Sequence, residues 1–448
     1  MNMSMTNSTT VLSSNQPPKV EISRRQMVNA SIASLLGWAL DLFDLFVLLY
    51  VAPVIGKLFF PTELPTLSLA AVYASFAVTL LMRPIGSALF GSYADRKGRK
   101  KAMIVAVIGV GVATALFGAL PTVHQIGVGA SIIFLILRLV QGIFVGGVVA
   151  STHTIGTESV PPKWRGFMSG FVGGGGAGLG ALLASIVYFI VSEAFPGEAF
   201  DAWGWRFMFF AGILSAVLGV FVFKSLEESP LWLQAQQKKE AAKKPEGSPV
   251  KMIFTQYRNV LLVNLMLVTG GGTAYYLTSG YLPTFLNVIN KVYSGTASLI
   301  LMGASVSAII SAVLFGYLSD VIGRKKTFLL IGFINLILLP VLFIQLGSAT
   351  SIPMITFYAL ALAFLGNAAY APILIFLNER FPTSIRSSGT GLSWNMGFAV
   401  GGMMPTFVTL ASGTTENIPY SLMGFSIAVF VVYVIGSLVI PETKGNFE

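Results

Sequence analysis

The 448-residue chain has no cysteine and only two histidines, His124 and His153. Disulfides, thiolate metal sites and a cysteine nucleophile are excluded, and two histidines leave little for a zinc site. Charge is also scarce. Asp, Glu, Lys and Arg make up 10% of the residues, against about a quarter in a soluble domain. Apolar residues reach 54% and mean hydropathy is +0.78. So few charges cannot cover a water-facing surface, and lipid must cover it instead. No nucleophile–base pair, metal cluster or nucleotide loop points to an enzyme, and no soluble sensing domain points to a receptor. Neither cofactor nor metal is expected.

What the chain has in quantity is long apolar runs. About 20 apolar residues cross the roughly 30 Å of hydrocarbon in a bilayer. Twelve such runs occur, at 28–52, 67–91, 102–120, 129–152, 167–192, 205–224, 260–286, 296–318, 327–346, 353–376, 388–411 and 420–440. The expected fold is an all-α integral membrane protein of twelve transmembrane helices. The N-terminal bundle spans 28–224 and the C-terminal bundle 260–441. A cytoplasmic linker covers 225–259, and cytoplasmic tails cover 1–27 (disordered) and 442–448.

The net charge of +10 has a topological reading. With both termini in the cytoplasm, all cations but five fall on the inner side, as expected for membrane proteins. The exceptions are Lys57, Arg206 and Lys291 outside and Arg83 and Arg138 within spans. The basic excess is thus topology and attraction to anionic lipid, and nucleic acid is not needed to explain it.

The two halves echo each other. Gly91-Ser-Tyr-Ala-Asp95-Arg-Lys-Gly98-Arg99-Lys100 recurs 225 positions later as Gly316-Tyr-Leu-Ser-Asp320-Val-Ile-Gly323-Arg324-Lys325. Glu158 and Arg165 recur 221 positions later as Glu379 and Arg386. Duplicated halves let a carrier hold one site near the midplane and rock around it, so the halves are expected to be related by a pseudo-twofold axis. A Gly-rich helix end permits close approach of two helices, and Asp95 or Asp320 can receive a helix N-terminus or a neighbouring Arg. These repeated residues are expected to gate.

At this point a family becomes recognisable. The Gly-x-x-x-Asp-Arg-x-Gly-Arg-Lys pattern resembles the signature loop of the major facilitator superfamily. Gly37 to Pro61, Arg83-Pro84-Ile-Gly86, Leu120-Pro121, Arg138-Leu-Val-Gln141-Gly142, Trp203-Gly-Trp-Arg206, Tyr275-Tyr276, Tyr281-Leu-Pro283 and Phe381-Pro382 are similar to its metabolite:proton symporters. The resemblance implies a monomeric carrier in a prokaryotic cytoplasmic membrane. It would take up small carboxylates or zwitterions together with protons. Two departures stand out: Asp41-Leu42 where that family usually has Glu-Trp, and Val148 where it usually has Glu. Sugar porters share Glu228-Ser-Pro230 and Pro441-Glu-Thr-Lys-Gly445, yet Gly270 to Tyr276 lacks the Gln and Asn side chains that hold sugar hydroxyls there. A proton-linked exporter and a sugar porter-like carrier stand as alternatives.

Four ionisable residues fall deep within spans, all in the first half: Asp41, Asp44, Arg83 and Arg138. A lone charge there costs roughly 2.5–3.5 kcal/mol on insertion scales, so each should face a cavity or a partner. Asp41 and Asp44 are spaced i, i+3 on one helical face. Burial favours the neutral form of a carboxyl group and a nearby Arg favours the ionised form. An Asp between the two can load a proton when its Arg engages a substrate carboxylate. Asp44 is the expected proton carrier with Asp41 as partner. Arg138 is the expected carboxylate ligand, bidentate as guanidinium allows, followed by Arg83. The alternative is a static ion-pair network fixing the packing of the first half. The second half has polar and aromatic mid-membrane groups instead: Tyr275, Tyr276, Asn367, Tyr370, Trp394 and Asn395, expected to set specificity. Gly173 to Gly176 read as close helix packing, since no Lys-Ser/Thr follows as in a phosphate loop.

Overall fold

The computed structural model describes residues 24–97, 99–158, 160–224, 249–382 and 385–446. Each of the twelve apolar runs lies on helix. In chain order these are α1 (Arg24–Tyr50), α2 (Pro65–Lys97), α3 (Arg99–Ala119), α4 (Gly129–Glu158), α5 (Arg165–Ala194), α6 (Phe200–Phe221), α7 (Arg258–Ile289), α8 (Ser294–Ile322), α9 (Arg324–Ser348), α10 (Ile352–Glu379), α11 (Arg386–Ser412) and α12 (Ile418–Val439). Helix is the expected outcome, because a backbone in hydrocarbon must satisfy its own hydrogen bonds. Among the described residues ten of these are long and apolar enough to cross a membrane. The apolar part of α3, Ile104–Ala119, is shorter, and α11 is diluted by Ser, Thr, Asn and Gly.

The packing repeats with a period of six helices. In the first half α1 packs on α5, α2 on α4 and α3 on α6. In the second half α7 packs on α11, α8 on α10 and α9 on α12. The halves meet along α5–α8 and α2–α11, two contacts that exchange under the same period. The predicted pseudo-twofold architecture is therefore present. Most of the expected linker, 225–248, lies outside the described residues. Its last part forms a short helix, Pro249–Thr255, whose Ile253 packs on Leu261, Phe381 and Ile385.

Two of the helices are irregular where the halves meet. Helix α5 contains a π-helical stretch, Gly170–Gly175. A Cβ added at Gly170 would run into the Ala312 carbonyl of α8, and one at Gly174 would press on the Ala312 side chain. The glycine run is thus the close-packing device read from the sequence. Helix α7 has π-helical stretches at Tyr276–Gly280 and Phe285–Ile289, on either side of Pro283. Such bulges inside helices are frequent at functional sites.

Candidate functional site

At the midplane α1 and α2 bring Asp41 and Arg83 together, with Oδ2 3.6 Å from Nη1 and both side chains almost wholly buried. The pair lies within electrostatic range of Tyr276 and Tyr370 of the second half, and Asp41 also of Tyr275. These tyrosines belong to an aromatic wall. Tyr275 packs on Tyr276 at 5.3 Å and on Tyr370 at 5.4 Å; Tyr370 packs on Trp394 at 5.3 Å, and Trp394 stacks on Phe398 at 4.1 Å. The first half answers with Trp38, whose indole N–H donates to the Tyr370 hydroxyl at 3.0 Å, and with Phe46 and Phe76 against Tyr275 and Tyr276.

Asp44 takes a different course. Thr114 of α3 and Ser215 of α6 hydrogen-bond its carboxyl group, and Arg138 of α4 lies within electrostatic range. The Arg138 guanidinium sits 4.5 Å above the Phe117 ring and 5.4 Å from the Phe134 ring, and donates to Gln141 Oε1. Gln141 in turn donates to Thr114 at 2.7 Å. Every one of these groups belongs to the first half. Arg138, expected as the carboxylate ligand, is thus surrounded by groups of its own bundle. The four charges form two pairs, Asp41 with Arg83 and Asp44 with Arg138, with Asp41 still within electrostatic range of Asp44. The physical reason is helical phase, since residues three apart on a helix point about 60° apart. That is enough to send Asp41 toward α2 and Asp44 toward α3, α4 and α6.

Both pairs are incompletely satisfied. Among the described residues Asp41 Oδ1, Asp44 Oδ1, Arg83 Nε, and Arg138 Nε and Nη2 are buried without a hydrogen-bond partner. A buried charged group in that condition is costly, and such groups ask for an explanation such as a visiting proton or ligand. Beside the aromatic wall is a cavity of about 10 Å³, lined by Phe46, Tyr50, Tyr275, Ser279, Ser305 and Asn367 among others. Asn395 is elsewhere, in a cleft with Leu81, Pro84 and Leu265 between α2, α7 and α11. Of the second-half residues expected at the site, Tyr275, Tyr276, Asn367, Tyr370 and Trp394 thus come together and Asn395 stands apart.

The centre is closed at both ends. At the end where α8 meets α9, Asp320 accepts the backbone N–H groups of Gly166 and Phe167 at 2.9 and 2.8 Å, in the first turn of α5. Arg324 bridges Asp320 at 2.8 Å and Glu379 at 3.0 Å. Gly323, which separates α8 from α9, has φ +100°, and a Cβ there would strike the Glu442 carboxylate. Asp320 thus receives both a helix N-terminus and an Arg. Of the first-half counterparts, Gly91 lies within α2 and Arg165 opens α5. Gly98 lies outside the described residues, as do the side chains of Asp95, Arg99, Glu158 and Arg386. At the opposite end Tyr73 stacks on Tyr281 at 5.1 Å and donates to Thr284 at 2.8 Å, while Thr66 donates to the Gly413 carbonyl at 2.9 Å.

Sequence reasoning missed several of these groups. Glu442 accepts the N–H groups of Arg324 and Lys325 at 2.9 and 3.2 Å, and Thr443 donates to Glu379 at 2.8 Å. The only signal for them was the Pro441-to-Gly445 motif. Trp38 had a signal too, standing three residues before Asp41 on one helical face. Gln141 stood in the Arg138-to-Gly142 motif, and Thr114 had no signal.

Comparisons with known proteins agree with this architecture. The family model described as sugar (and other) transporter matches residues 29–247 and 245–447. The proline/betaine transporter of Escherichia coli strain K12 is 31% identical over 428 residues, covering 93% of this chain and 84% of that protein. The glycine betaine/proline/ectoine/pipecolic acid transporter OusA of Dickeya dadantii is 29% identical, covering 93% and 84%. The inner membrane metabolite transport protein YhjE of Escherichia coli is 29% identical, covering 92% and 94%. Among solved structures a D-xylose-proton symporter superposes with a TM-score of 0.71 at 20% identity, covering 94% of this chain and 99% of that one. That likeness is one of fold.

Proposed function

Because this chain belongs to the sugar (and other) transporter family of the major facilitator superfamily, and is a multi-pass membrane transporter rather than an enzyme, we propose that it couples proton entry to uptake of a small carboxylate-bearing zwitterion by alternating access. The observation that carries the reading is the buried Asp41–Arg83 pair facing an aromatic wall across the boundary between the halves. A guanidinium suits a carboxylate, and ring faces suit an onium group, so the two sides match the two ends of a zwitterion. Relatives named for proline and betaine support the same chemistry. Both termini are assigned to the cytoplasm from the placement of the cations.

The mechanism follows from the pairing. When a substrate carboxylate takes Arg83, Asp41 loses its counter-ion. In a site with so little water a lone carboxylate is costly, and neutralising the acid pair with a proton removes that cost. Asp44, one turn further along α1 and within electrostatic range of Asp41, holds that proton: an unpaired Asp41 carboxylate repels the Asp44 carboxylate, and protonation of Asp44 ends the repulsion, with Asp41 as its partner. This moves the carboxylate ligand from Arg138 to Arg83. Arg138 then serves as the fixed counter-charge of the proton carrier. Gating rests on the Asp320–Arg324–Glu379 cluster and its first-half repeat Asp95, Arg99, Glu158 and Arg165, together with Gly91, Gly98, Gly323 and Arg386.

Uptake into proteoliposomes under an imposed inward proton gradient tests the reading. Labelled proline and betaine should accumulate, and a simple dicarboxylate or hexose should not. Failure of every zwitterion to accumulate would overturn it. A second reading, a polyol or sugar, has one observation in its favour. The cavity beside Tyr275 is edged by the hydroxyls of Tyr50, Ser279 and Ser305. The hexose arm of the same assay decides between them.

A further inference from the structure

The cavity between α1, α5, α7, α8 and α10 has a chemical demand of its own. It exists because α5 and α8 present mostly small residues there, including Gly178, Ala181, Ala304 and Ala308. Two polar side chains in its wall each bring one atom without a partner among the described residues: the Tyr275 hydroxyl and Asn367 Oδ1. Tyr275 is 1% exposed and Asn367 0%.

The orientation of the Asn367 amide is settled by its neighbours. Its Nδ2 donates to the Ala363 carbonyl at 3.1 Å and to Ser279 Oγ at 3.2 Å. A carbonyl can only accept, so the amide cannot be turned over without losing that bond. What is left free is Oδ1, a pure acceptor. A buried acceptor without a donor is expensive, and a ligand that supplies the donor recovers what the protein alone leaves unmade. The remaining polar atoms of the wall are already engaged: Tyr50 with Ser185 and the Ala181 carbonyl, Ser305 with the Leu301 carbonyl. At about 10 Å³ the space fits one water-sized group.

We propose that this cavity receives a hydrogen-bond donor carried by the substrate, an ammonium N–H or a hydroxyl, on Asn367 Oδ1 and the Tyr275 hydroxyl. The inference deepens the zwitterion reading and rests on it. It predicts selection within that class. Zwitterions that carry such a donor are preferred over counterparts that are fully methylated or lack the hydroxyl, because those leave Asn367 unpaired. The Arg83 side recognises the carboxylate, and the Asn367 side recognises what else the molecule carries.

The test uses two matched pairs in proteoliposomes under one proton gradient: L-proline against N,N-dimethylproline, and carnitine against 4-trimethylammoniobutyrate. The second pair guards against a size effect, because there the molecule without the donor is the smaller one. In every pair that is transported, the donor-bearing member should show a KM about 10-fold lower. Asn367→Leu should erase that ratio, and Tyr275→Phe, which removes one oxygen, should reduce it. Equal KM values within a transported pair, or a ratio that survives Asn367→Leu and Tyr275→Phe, would overturn the assignment while leaving the zwitterion reading standing. Transport of none of the four would overturn the zwitterion reading and this inference with it.

Discussion

The two halves share one packing scheme and divide the chemistry unequally. The first holds Asp41, Asp44, Arg83 and Arg138 at mid-membrane; the second holds no charge at that depth and presents Tyr275, Tyr276, Tyr370, Trp394 and Asn367 instead. Buried ion pairs are poor stabilisers, since desolvation offsets most of their attraction. Confining them to one bundle leaves the other a neutral wall that can fit a substrate without rearranging charge. A duplicated fold has thus kept its symmetry where helices pack and lost it in the charge buried between them. The end where α8 meets α9 shows the same separation: Asp320 of the second half binds the start of α5 in the first, so the ions that join the halves there are distinct from the Asp–Arg pairs buried at the centre.

This division can be broken in order of expected severity. Asp44→Asn should abolish accumulation against a gradient while sparing substrate exchange, measured as counterflow in preloaded proteoliposomes; loss of both would return Asp44 to a structural role. Next, Arg83→Lys keeps the charge but not the planar fork, and the KM for a zwitterion should rise about 10–100-fold, the scale of a charge-assisted hydrogen bond. The same change at Arg138 should alter the pH dependence of uptake more than KM. Third, Tyr276→Leu or Trp394→Leu removes a ring face and should raise KM about 3–30-fold for an onium substrate, with little effect on proton leak. The smallest effect belongs to Glu442→Gln. It loosens the carboxylate that accepts from the start of α9 and should change turnover by a few-fold with KM nearly constant.

Much of this was legible in the sequence because lipid imposes simple rules. Long apolar runs fix the helices, and the rarity of charge makes Asp41, Asp44, Arg83 and Arg138 stand out. The repeat of Asp95 in Asp320 pointed to a contact with a helix N-terminus, and Gly166 and Phe167 are what Asp320 meets. The rest depended on rotation. Spacing placed Asp41 and Asp44 on one face but could not say that a modest difference in angle sends them to different arginines. Arg138 was expected to meet a carboxylate because the resemblance puts its span along the cavity, whereas its direction is set by Phe117 on α3 and by Phe134 and Gln141 on its own helix. Tyr50 and Tyr73 were hard to single out for a related reason. In a helix that is apolar all round, periodicity does not mark the inner face, so an aromatic residue at the boundary between halves looks like one facing lipid.

The most direct test of the central claim is the proton itself. In lightly buffered proteoliposomes without an imposed gradient, adding a transported zwitterion outside should draw protons inward in step with it. The alkalinisation of the external medium should disappear with the methyl ester of the same substrate and with Asp44→Asn. Zwitterion entry with no proton movement, or proton movement that the methyl ester supports equally well, would contradict an exchange of partners at Arg83.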